Sequence, residues 1–193
     1  MRAVSAPPVV WRPIEDRRGQ AAMLCVIFTE AMLFVMLFFA YYYLGHDAPN
    51  WAAEPPKLMM ALVMLAVLIS SSLVLHWGER QIDKARTAAA RAAVAVTALL
   101  GLAFLAIQVF EYRERLLEIR PDTDAYGSMF YLMTGFHGLH VIGGLLFMVA
   151  VIWMVSGRTS RAPVGPTIEV CAYYWHFVDV VWVIMFANIY LLK

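Results

Sequence analysis

Five long apolar runs dominate this chain, at about residues 21–44, 57–77, 88–110, 126–155 and 168–192. Each is long enough, at about 1.5 Å per helical residue, to cross a hydrocarbon core of about 30 Å. Lipid-exposed strands would need a closed barrel and a strict apolar/polar alternation, and these runs do not alternate. Composition agrees, since 62% of the 193 residues are hydrophobic and only 15% are charged, outside the range of an ordinary soluble domain. The chain therefore reads as an all-α integral membrane bundle of five transmembrane helices. Residues 1–20 form an N-terminal segment and residues 21–193 a single transmembrane domain.

The punctuation supports this partition. Pro7, Pro8, Pro13, Pro49, Pro55, Pro56, Pro121, Pro163 and Pro166 all fall outside the runs, so none breaks a span. The opening MRAVSAPPVVWRPIEDRRGQ is too polar, and the run after it too long, for a cleaved signal peptide, so it is expected to be retained. Arg2, Arg12, Arg17 and Arg18, then Arg80, Lys84, Arg86 and Arg91, then Arg158 and Arg161 fall on one side of the membrane; Lys57, Arg113, Arg115, Arg120 and Lys193 fall on the other. The positive-inside rule makes the first side cytoplasmic, which puts the N-terminus in the cytoplasm and the C-terminus in the periplasm. A formal charge of +1 gives no basic footprint for nucleic acid. Cys25 and Cys171 read as small buried apolar residues and not as a disulfide.

Any chemistry must then reside in the few polar residues within the spans, each costly to insert. Glu30 lies near the middle of the first span, followed by Phe34, Phe38, Tyr41 and Tyr42 on about the same side. It reads either as a neutral, hydrogen-bonded acid that fixes helix register or as a proton-handling or ligand-sensing acid. Three further pairs sit at i and i+3, and so on one helix face: Gln108 with Glu111, His137 with His140, and His176 with Asp179. Such residues point into a bundle, where satisfied polar groups glue helices together. His137 and His140 lie too close on one helix to flank a single haem, and His76 and His176 are expected at different depths. Neither a haem site nor a His/carboxylate metal site follows. Gly135, Gly138, Gly143 and Gly144 around the histidines would allow close approach of another helix backbone.

The segments TEAMLFVMLFFAYYY, ISSSLVLHW, QVFEYRERLLEIRPDTDAYGSMFYLMTGFHGLHVIGG and YYWHFVDVVWVIMFANIYLL, in this order, cover most of residues 20–192. With them the sequence resembles subunit III of the haem-copper oxidases, the cytochrome c oxidase and quinol oxidase subunit III family. The resemblance implies an accessory subunit of a respiratory terminal oxidase in the bacterial cytoplasmic membrane, with no catalytic centre, haem or copper of its own. Haem and copper would belong to partner subunits, catalytic subunit I and subunit II, and the chain would stabilise subunit I, support proton uptake and bind phospholipid. It also implies that Glu30 is the family's buried carboxyl, with His140 as its neighbour. Long family members have seven spans; this chain resembles the short five-helix form, which lacks the first helix pair and with it one wall of the long form's lipid cleft. Two other readings stay open, an accessory protein of nitric oxide reductase with the same fold and a small transporter or channel with Glu30 and the histidines on its pathway. The second lacks the repeats and interrupted helices usual in transporters.

Overall fold

The computed structural model describes residues 13–48, 51, 57–82, 84–116, 119–121, 124–156 and 164–192. Arg2, Arg12, Arg158, Arg161 and Lys193, with Pro7, Pro8, Pro49, Pro55, Pro56 and Pro163, lie outside the described residues. Five helices follow one another: α1 (Pro13–Gly45), α2 (Leu58–Ile82), α3 (Thr87–Arg115), α4 (Ala125–Ser156) and α5 (Val164–Phe186), the last running on into a π-helical turn at Ala187–Leu191. All five contain a stretch long and apolar enough to span a membrane, and no strand occurs among the described residues. Most of the helices outrun their apolar stretches, because helix formation needs backbone hydrogen bonds while the runs mark only where lipid can lie. Pro13 opens α1 and Pro166 sits in the first turn of α5, positions whose N–H has no intrahelical partner to lose.

α2 and α3 form a tight antiparallel hairpin. The Gln81 carbonyl accepts from the backbone N–H groups of Lys84 and Arg86 at 3.2 and 2.9 Å, and Ala85 takes φ 56°, a left-handed turn residue. Close packing follows at Gly78, where an added Cβ would come within 2.5 Å of the Ala93 Cβ. α5 occupies the middle, against α1, α2 and α4, while α1 touches only α4 and α5 to any extent.

Trp175 of α5 shows how the centre is built. Its indole is fully buried between glycines on two other helices: a Cβ at Gly101 of α3 would meet Trp175 Cη2 at 2.7 Å, and one at Gly144 of α4 would meet Cε3 at 2.9 Å. The indole N–H donates to Ser71 Oγ of α2 at 2.9 Å, so one side chain ties four helices together and leaves its polar tip satisfied. The α4 glycines around the histidines thus receive side chains and not a neighbouring backbone: a Cβ at Gly138 would meet the Gln108 amide at 3.0 Å and one at Gly143 the Tyr174 hydroxyl at 3.2 Å. Large aromatic and amide groups fill the room that the expected backbone contact would have used.

Candidate functional site: polar groups within the spans

His140 and Glu30 meet across α4 and α1, with His140 Nε2 3.0 Å from Glu30 Oε2. The other ring nitrogen, Nδ1, lies 2.7 Å from the Phe136 carbonyl one turn back. A carbonyl can only accept, so Nδ1 carries a hydrogen, and the Nε2···Oε2 contact then needs one proton more. Whether that proton sits on the acid or on the imidazole, the pair holds it between the two atoms and is neutral as a unit. Phe34 packs edge-on against the His140 ring at 4.9 Å, and the Tyr174 hydroxyl donates to the His140 carbonyl at 3.2 Å, fixing the helix that presents it.

Glu30 is not buried within the chain, as the resemblance had implied, for its side chain is 36% exposed against 11% for His140. It lines an open groove of about 340 Å³ with Val26, Leu33, Phe136, Leu139, His140 and Tyr174. The reason lies in α1, which packs on α4 and α5 along one edge and leaves the rest of its circumference uncovered. Cys25 on the same helix is exposed for that reason, against the reading of it as a buried residue, whereas Cys171 on α5 is buried.

His137, one turn before His140 on α4, turns the other way. It is fully buried, with both ring nitrogens lacking a hydrogen-bond partner, among Phe34, Phe104 and Trp182 at centroid distances of 6.5, 5.6 and 5.1 Å. The expectation of satisfied polar pins therefore fails here; His137 packs as an aromatic ring.

Gln108 and Glu111 serve different neighbours. Gln108 Nε2 donates to the Thr134 carbonyl at 2.7 Å, and the Tyr112 hydroxyl meets Thr134 Oγ1 at 2.6 Å, joining α3 to α4. Because Thr134 Oγ1 gives its own hydrogen to the Phe130 carbonyl at 2.6 Å, Tyr112 is the donor in that pair. Glu111 Oε1 accepts from the Tyr190 hydroxyl of the π-helical turn at 3.3 Å.

On α5, His176 Nδ1 lies 2.6 Å from the Ser72 hydroxyl of α2 and His176 Nε2 lies 3.9 Å from Glu79 Oε2. His76 reaches the same carboxylate at 3.3 Å, so the two histidines expected at separate depths converge on Glu79. Asp179 is buried beside His176 and Ser72, with neither carboxyl oxygen making a hydrogen bond of ordinary geometry. Sequence reasoning missed Glu79. Its signal was the spacing Ser72, His76, Glu79, one stripe of α2 at i, i+4 and i+7, hidden because HWGERQIDK reads as a charged loop. No group of three or more His, Cys, Asp or Glu side chains that could hold a metal ion occurs among the described residues.

The family model described as cytochrome c oxidase subunit III matches residues 17–193. The chain is 40% identical over 171 residues to the cytochrome c oxidase subunit 3 of Synechocystis sp., covering 84% of this chain and 71% of that protein. It is 37% identical over 174 residues to the corresponding subunit of Thermostichus vulcanus, covering 88% and 85% of the two chains. The cytochrome c oxidase subunit 3 of Petromyzon marinus is 35% identical over 179 residues, covering 87% of this chain and 67% of its own length.

Proposed function

Because the chain belongs to the cytochrome c oxidase subunit III family, we propose that it is the accessory subunit of a haem-copper terminal oxidase in a bacterial cytoplasmic membrane. It docks against catalytic subunit I, with subunit II in the same complex, and leaves haem and copper to those partners. Its work is mechanical and protonic: it braces subunit I, supports proton uptake and holds phospholipid. The observation that carries this reading is the extent of the family match, which takes in every span. The polar groups support it, since Gln108, Glu111, His140 and His176 are each engaged by a second helix, as joints would be.

The N-terminus lies in the cytoplasm and the C-terminus in the periplasm, supported by the excess of Lys and Arg in the segment 78–91, where α2 ends and α3 begins. Cysteines introduced between Glu111 and Asp124 should react with an impermeant maleimide added outside, and those between Gly78 and Arg91 should not. The reverse pattern overturns the orientation.

The functional reading is tested by purifying the oxidase with and without this chain. Oxygen reduction should persist without it, with haem and copper content unchanged, but decay sooner during turnover. Loss of a haem or a copper from an otherwise folded catalytic subunit would contradict a metal-free supporting role.

A further inference from the structure

At the end of the bundle where α1 and α5 both leave their spans, a second cavity of about 430 Å³ opens. Its lining includes Tyr41, Tyr42, Gly45 and His46 from the end of α1, Trp51 beyond it, and Asn188 of the π-helical turn. We propose that this cavity binds the ring head of a membrane quinol or quinone.

The walls are assembled by specific close contacts. A Cβ at Gly45 would stand 2.9 Å from the Trp51 indole, so the absence of a side chain there lets the indole lie on the helix end. Tyr41 meets Trp51 edge-on at 5.3 Å, and Trp51 meets Tyr126 at 5.6 Å, which holds the indole from behind. The π-helical turn supplies the opposite wall. Its wider winding closes with the Leu192 N–H on the Ala187 carbonyl at 2.9 Å, and such turns are rare and concentrate at functional sites. Asn188 accepts from the Tyr42 hydroxyl and donates to the Ile184 carbonyl, which locks both amide and phenol in place.

The chemistry of the lining selects the ligand. Among the described lining residues none is Lys, Arg, Asp or Glu, so these side chains offer neither a phosphate nor a lone ammonium head an opposite charge. A neutral head with oxygens at opposite ends of a flat ring finds what it needs. Tyr42 gives its hydrogen to Asn188 and keeps a lone pair to accept from a ring hydroxyl. Tyr41, edge-on to the Trp51 indole, brings a phenol hydrogen of its own to donate. The exposed His46 ring can do either. Three aromatic side chains provide faces and edges for the ring, and the exposed Leu191 and Leu192 mark where an isoprenoid tail would pass into lipid.

The test is photolabelling of membranes carrying the full chain with a short-tailed azidobenzoquinone, followed by mass-spectrometric mapping. Label should fall on the peptide Tyr41–Trp51 or on the π-helical turn. An excess of short-tailed quinol should suppress it, while the same excess of phosphatidylglycerol should not. His46→Ala, at an exposed position, should cut labelling about five-fold by removing one hydrogen bond. Trp51→Ala, read at equal chain level in the membrane, should abolish it. Label elsewhere on the chain, equal suppression by the phospholipid, or labelling unchanged in His46→Ala would each overturn the proposal.

Discussion

α1 and α5 are both membrane-spanning, yet only 6% of the apolar window of α1 is buried within the chain, against 56% for α5. α5 is the less apolar of the two. In water the order would be reversed, with the more apolar helix inside; in a bilayer lipid tails solvate apolar side chains as well as a protein interior does, so apolarity does not sort helices by depth. What marks the interior is the residues lipid cannot satisfy: Asp179 and the Trp175 indole N–H on α5, and the glycines that admit large side chains. α1 carries Glu30 in mid-span, and that residue makes a polar joint to α4; Gln20 and Tyr42, toward its two ends, make others to α5 and the π-helical turn.

Substitutions should expose this difference on a scale set by packing. Trp175→Ala opens a cavity where four helices meet and should cost about 3–5 kcal/mol. Phe39→Ala, at a position on α1 that is 63% exposed, should stay within about 0.5 kcal/mol in the chain by itself. Unfolding of the isolated chain in detergent measures both, and equal losses would break the comparison. If Phe39→Ala is silent in the isolated chain but weakens the assembled oxidase, the bare face of α1 is where a neighbouring subunit sits.

A smaller contrast lies between glycines. Gly101→Ala drives a methyl to within 2.7 Å of the Trp175 ring and should cost about 1–3 kcal/mol. Gly135→Ala meets nothing nearer than the Tyr112 hydroxyl at 3.8 Å and should be close to neutral in the same unfolding measurement. Ser71→Ala, which strands the Trp175 indole N–H, should cost about 1–2 kcal/mol, with a shift in tryptophan fluorescence marking the altered environment.

The five spans were legible because a helix in lipid must announce itself by length and apolarity alone. The site was legible in a more uneven way. Glu30 and His140 stood out as polar residues in apolar runs, and the family resemblance suggested their pairing; sequence alone did not show that the acid would open on the outer surface, because α1 is apolar all round and its covered edge has no distinct pattern. His137 was misread as a satisfied pin, since spacing cannot tell an imidazole aimed at a carboxyl from one packed among Phe104 and Trp182. Glu79 was missed because its histidine partners come from two helices, His76 on its own and His176 on α5. The π-helical turn at Ala187–Leu191 has no sequence signature; ANIYL continues an ordinary apolar helix.

The Glu30–His140 joint gives the finest discrimination. Since the His140 Nδ1 hydrogen is committed to the Phe136 carbonyl, Nε2 can take a hydrogen from a neutral partner, and Glu30→Gln should preserve both contact and assembly. A lipid-soluble carbodiimide, which needs a protonated acid reached from an apolar surface, should modify Glu30 ahead of Glu114, which is paired with Lys57 at 2.9 Å. Modification of Glu114 in preference would place the shared proton on the imidazole instead.

The most direct test of the view that in-span polar residues are joints between helices is a double-mutant cycle on Glu30→Ala and His140→Ala, read by unfolding of the chain in detergent. The expected coupling is about 1 kcal/mol or more, because each single variant already removes the Glu30–His140 link from α1 to α4 and the second removal adds little. Additive losses, with a coupling of zero, would contradict the account and leave the middle of α1 held by apolar contact.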